Sequence, residues 1–159
     1  MYRRYIIVGF VFFLLVGAYF MFFYNKNSDK EYEKYYKKLV NNVDYKGYLD
    51  GVNLNVEEID NGDSKFSYII TIDGVSADQK NVRILVLDEN CSKEEIETFP
   101  SFGIISNEGY SLVRNGMENE REKKLKGVNL TVVDSEKIDN FLIYFSSDSN
   151  EQFVKVKVR

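Results

Sequence analysis

Residues Tyr5 to Tyr24, YIIVGFVFFLLVGAYFMFFY, contain no charge, no Asn or Gln and no Pro, and this run constrains the chain more than any other segment. Twenty helical residues at about 1.5 Å each span roughly 30 Å, the thickness of the hydrocarbon core of a bilayer. Thirteen of the twenty are Leu, Ile, Val or Phe. At about −0.3 to −0.6 kcal/mol each they favour insertion by roughly 4–8 kcal/mol, an upper bound because the ends contribute less. Tyr2, Tyr5, Tyr19 and Tyr24 suit the two water–lipid interfaces. A secretory signal has a shorter apolar stretch, about 7–15 residues, closed by small residues. Here bulky Tyr19 to Tyr24 follow Gly17 and Ala18, and no Cys follows the run before Cys91. The run is therefore expected to stay attached as an anchor. Arg3 and Arg4 before it are the mark of an export signal. Lys26, Lys30, Lys34, Lys37 and Lys38 after it favour the opposite orientation by count. Large domains translocate largely regardless of charge, so the expected arrangement is N-terminus in, domain out.

Beyond the run, residues 25–159 hold all 25 acidic and 19 of the 21 basic residues, a net charge of −6. That acidity argues against nucleic acid as a partner, which requires a basic footprint. The length suffices for one domain with a real core. Cys91 is the only cysteine, so no internal disulfide is available.

Ser28 with Glu31 three residues on is a capping-box pattern and opens a second helix, about Asp29 to Asn42. Its apolar residues Tyr32, Tyr35, Tyr36, Leu39, Val40 and Val43 fall on one stripe. That stripe either packs on the following domain or docks a partner. From residue 51 the period becomes two. Val52, Leu54 and Val56 alternate with polar residues, Asn61-Gly62 suits a tight hairpin turn, and Phe66, Tyr68, Ile70 and Ile72 alternate on the next strand. Val82 to Leu87 is apolar on both faces, as in a central buried strand. A short capped helix is expected at Ser92 to Thr98, then one or two short strands within Phe99 to Val113, and a charge-dense loop or strand edge at Met117 to Lys126. Leu125–Val133, Phe141–Ser146 and Gln152–Val158 read as strands, the last two joined by a turn at Ser147–Asn150. Gly51-Val52-Asn53-Leu54-Asn55-Val56 is echoed by Gly127-Val128-Asn129-Leu130-Thr131-Val132, which raises symmetry-related strands against simple coincidence. About seven short strands predict an antiparallel, immunoglobulin-like β-sandwich. The alternative is a small α+β domain whose helix near residue 35 covers one sheet.

The block Leu125 to Val132, the polar connection Asp134 to Asn140 and the strand Phe141 to Phe145 resemble the immunoglobulin-like, telokin-like domains that many anchored Gram-positive proteins carry outside the membrane. The resemblance implies a fold and a place, with no activity and no site residues. The expected organisation is a cytoplasmic tail at 1–4, a transmembrane anchor at 5–24, a juxtamembrane amphipathic helix at 28–43 and a sandwich ectodomain at 48–159.

Catalytic chemistry finds little to build on. Histidine is absent, which removes the commonest general base and most zinc sites. Asp88, Glu89 and Glu94 near Cys91 disfavour its thiolate. Carboxylates cluster at Asp60 with Asp63, at Glu94, Glu95 and Glu97, and at Asp148 with Glu151. Such pairs serve glycosidases or calcium, but one residue in six is acidic and neither loop has the ligand spacing of an EF-hand. No catalytic, cofactor or metal residue is therefore nominated. Candidate contacts for a partner are Tyr32, Tyr35 and Tyr36 on the helix, then Phe99, Phe102 and Tyr110 in the aromatic stretch. Lys155, Lys157 and Arg159 share one face of the last strand. The functional expectation is a single-pass, non-catalytic module that binds a protein partner or a second copy within an envelope, secretion or transfer complex. A structural or sensory ectodomain, or a carboxylate-based hydrolase, are the alternatives.

Overall fold

The computed structural model of the protein describes residues 33–60, 65–90, 109–134 and 136–158. The chain divides into two compact units, Met1–Lys34 and Tyr35–Arg159, and the description below concerns the second. Among the described residues no helix is long and apolar enough to cross a membrane. The Tyr5–Tyr24 run, the helix expected at Ser92–Thr98, Cys91, and the contact candidates Tyr32, Phe99 and Phe102 lie outside the described residues.

The unit is mainly β, with two sheets and one short helix. Its strands are β1 (Asn53–Asp60), β2 (Phe66–Asp73), β3 (Gln79–Asp88), β4 (Tyr110–Leu112), β5 (Lys124–Leu125), β6 (Val128–Asp134), β7 (Asn140–Ser146) and β8 (Glu151–Lys157). One sheet has the order β1-β2-β6, the other β5-β4-β3-β7-β8. Neighbours pair antiparallel except β4 with β5, which is parallel. The alternating apolar residues read from the sequence fill the space between the sheets. Val56, Tyr68, Ile70, Ile72 and Val132 of the first sheet meet Ile84, Val86, Phe141, Ile143, Phe145 and Val154 of the second in one core.

β3 and β7 are buried on their other face too. Leu85, Leu87 and Tyr144 are at most 1% exposed yet stand outside that core. The cover includes the helix, which is helical over residues 33–40. Leu39 and Tyr36 are buried, and the Tyr35 ring lies 5.2 Å from that of Tyr144. The Arg83 guanidinium sits 5.9 Å from the Tyr35 ring centroid, a cation–π distance. At the helix end, Lys38 Nζ and the Tyr144 hydroxyl both donate to Glu151 Oε1, at 2.5 and 2.7 Å. Tyr35, Tyr36 and Leu39 of the stripe thus pack on their own domain, whereas Val43 is 87% exposed, and this places a helix on one sheet within a two-sheet frame.

Two local features refine the reading of the sequence. β3 shifts register between Gln79 and Val82 against β4, and Asn81 there adopts a left-handed φ of 53°. This irregularity places one residue in the left-handed region, which Asn tolerates better than a branched side chain. The charge-dense segment supplies a 3-10 turn, Glu120–Glu122, and the two-residue strand β5.

The echoed hexapeptides prove to flank the same strand. β1 and β6 lie on either side of β2, with Ile72 opposite both Leu54 and Val128. The two glycines serve different needs. Gly51 has φ 72°, whereas a Cβ at Gly127 would stand 2.8 Å from Asp73 Cβ.

Tyr68 ties the sheets together. Its ring meets Phe141 edge-on at 5.3 Å, and its hydroxyl accepts the buried Ile138 N–H at 2.7 Å. Replacing Tyr68 by Phe leaves that N–H without its acceptor. The expected loss is about 1–3 kcal/mol, read by urea unfolding, and a variant as stable as the parent would refute this role.

Candidate functional site at an open sandwich edge

Two sheets that share one core leave flanks where their edge strands face each other. On one flank β1 and β8 bound a groove of ≈ 450 Å³. Its floor is apolar: Leu49, Val52, Leu54 and Val56 on one side, Val156 and Val158 on the other. Leu49, Val52 and Val56 are buried, while Leu54, Val156 and Val158 are only partly so. Tyr48 stands at the mouth, 64% exposed. Lys155 and Lys157 form the rim on the β8 side.

The backbone explains why the groove is open. Lys46 begins to add a parallel strand to β8, its N–H donating to Phe153 O and its C=O accepting from Lys155 N, both at 2.9 Å. Backbone groups of residues 153, 155 and 157 therefore face outward, while Val158 N donates the other way, to Asp139 O at 2.9 Å. The chain leaves β8 after Lys46 to enter β1. The outward groups of Lys157 thus have no strand beyond them among the described residues. Among the described residues β1 is the other edge, paired only with β2 over eight residues without a register shift. Unpaired strand edges beside apolar floor are templates for strand addition.

Charge is distributed unevenly. Lys155 is ion-paired with Glu89, and Lys46 with Asp50. Lys157 has no ion pair among the described residues. Acidic groups gather at the pole where β3 and β6 end. The Asp88 carboxyl lies above the ordinary aspartate range, chiefly through partial burial. The Asn90 N–H that it accepts opposes this, and the charges of Asp134, Glu89 and Glu136 add to it. No group of three or more potential ligands that could hold a metal occurs among the described residues.

The carboxylates of the Asp148–Glu151 loop are engaged in fold contacts. Asp148 accepts from Asn81 Nδ2 at 2.7 Å, and Glu151 takes Tyr144 and Lys38. Burial drives the Tyr144 hydroxyl pKa upward, so it stays a neutral donor.

Of the contact candidates read from the sequence, Tyr35 and Tyr36 are 8% and 1% exposed and pack inside the domain. Both outward stripes and inward ones have the same spacing, so the pattern could not separate them. Tyr110 is half-buried on β4, with Lys123 Nζ 5.9 Å from its ring centroid. None of the three lines the β1–β8 groove. Of the basic trio, Lys155 and Lys157 do line it, and Arg159 lies outside the described residues.

Sequence comparison finds no matching family model and no matching curated protein. Among solved structures, an exo-β-N-acetylglucosaminidase of family GH20 from Vibrio harveyi, in complex with N-acetylglucosamine, aligns with a TM-score of 0.37 and 12% identity. The alignment covers 69% of this chain and 18% of that one.

Asp88 offers a test of the acidic pole. A carboxyl raised above its unfolded value costs stability once the pH exceeds its folded pKa, and the cost disappears as the pH falls below the unfolded value, 3.8. Asp88→Asn is expected to raise the urea midpoint at neutral pH and to leave it unchanged in strong acid. A variant less stable at neutral pH would contradict the account.

Proposed function

We propose that this chain is a non-catalytic, single-pass module of the cell membrane that presents its β domain outside the cytoplasm for binding or assembly within an envelope, secretion or transfer complex. The observation that carries the reading is the uncharged Tyr5–Tyr24 run set ahead of a mainly-β domain. The finer fold belongs to the same proposal: an immunoglobulin-type sandwich. The orders β1-β2-β6 and β4-β3-β7-β8 correspond to strands A-B-E and C′-C-F-G of that type, with the two-residue β5 as an addition. Binding is supported by the β1–β8 groove, where apolar floor, open backbone and an exposed aromatic ring coincide.

Fractionation tests the placement. The full-length chain is expected in the membrane pellet after an alkaline carbonate wash, released only by detergent, and its domain should be digested by protease added to intact protoplasts. Recovery in the aqueous fraction, or a mature N-terminus beyond residue 24, would overturn the anchor. Protection from protease would reverse the orientation.

A further inference from the structure

We propose that the partner of the β1–β8 edge is a second copy of this chain, each copy's β1 adding as a parallel strand to the other's β8. The inference deepens the assembly reading above, but it rests on the edge and not on the membrane span.

β1 and β8 run in the same direction. Glu58, near the end of β1, is ion-paired at 3.0 Å with Lys137, which leads into β7, and the first residue of β7 pairs with Lys157 at the end of β8. The two strands also lie level, because Leu54–Val56 and Lys155–Val158 line one groove. A two-fold axis parallel to such strands exchanges their positions without shifting them along the groove. It therefore sets β1 of one copy beside β8 of the other, level with it and parallel.

Side-chain parity then matches on both faces. Asn55 and Glu57 are exposed on the outer face of β1, as Lys155 and Lys157 are on that of β8. Leu54 and Val56 point inward, as do Val156 and Val158. The joined strands would thus continue the apolar floor on one side and place Glu57 against Lys157 on the other. Charge selects this arrangement. β1 contains Glu57, Glu58 and Asp60 with no cation, whereas the exposed side chains on the open stretch of β8 are lysines. An axis across the strands would instead oppose β1 to β1 and β8 to β8, setting like charges face to face, which is destabilising. β1 has no Pro, no Lys and no bulge, and Glu58, the charge at the parity of its inner face, is already paired with Lys137.

The test uses the full chain in non-ionic detergent and sedimentation velocity over a dilution series. The unaltered protein is expected to self-associate. E57K and K157E, both at exposed positions, are each expected to raise the self-dissociation constant about tenfold, because two attractive pairs become two repulsive ones. An equimolar mixture of the two variants should recover the original constant, since every contact in the mixed dimer again joins opposite charges. A second measurement needs no charge change: in a Cys91→Ser background, E57C mixed with K157C should form a disulfide-linked dimer on mild oxidation, and E57C alone should not. A monomer at every concentration, variants that associate like the parent, a mixture that fails to recover, or no mixed disulfide would each overturn the proposal. Association that survives both charge reversals assigns self-contact to another surface, and it leaves the fractionation result above unaffected.

Discussion

A sheet that is apolar on both faces needs two covers, and the rest of this domain follows from that need. β3 and β7 bury Ile84, Val86, Ile143 and Phe145 on one side and Leu85, Leu87 and Tyr144 on the other. Each such side chain is worth about 1.5–3 kcal/mol when removed from water, so neither face can be left open. The three-stranded sheet covers the first face and the helix around Tyr36 and Leu39 covers part of the second. Contacts that look local serve this layering. Tyr68 and Phe141 bridge the two sheets, while Glu151 gathers Lys38 and Tyr144 and so fixes the helix to the hairpin of β7 and β8.

The same layering decides where the surface remains chemically open. Two of the four sheet edges are blunted among the described residues. β5 is only two residues long, and the first half of β8 is capped by Lys46. Among the described residues, the flank between β1 and the second half of β8 keeps apolar floor and unpaired backbone together. Its lysine rim reaches the acidic pole around Asp88, Asp134 and Glu136, because Lys155 pairs with Glu89, one of the charges that act on Asp88.

Much of the sheet was legible in the sequence because period-two alternation is a direct consequence of strand geometry. Val52–Val56, Phe66–Ile72, Phe141–Ser146 and Gln152–Val158 sit in β1, β2, β7 and β8, and the doubly apolar Val82–Leu87 is central as expected. β5 falls in the charge-dense segment read as a loop or strand edge, while the bulge at Asn81 was hidden because Asn is equally at home in a loop. The helical stripe was legible as a stripe. Its destination was decided by Leu85, Leu87 and Tyr144, which lie far along the chain. The groove was the least legible feature. It is made by residues about a hundred positions apart, Leu54 and Val156, and by where the backbone turns away from β8.

The covering helix also moves the practical frontier of the domain. A fragment cut at the first strand, near residue 48, would strip Tyr35, Tyr36 and Leu39 from the sheet and leave Leu85, Leu87 and Tyr144 facing water. Such a greasy plateau recruits other chains in solution. Any excised version intended to behave well has to retain the helical residues 33–40 that carry Tyr35, Tyr36 and Leu39.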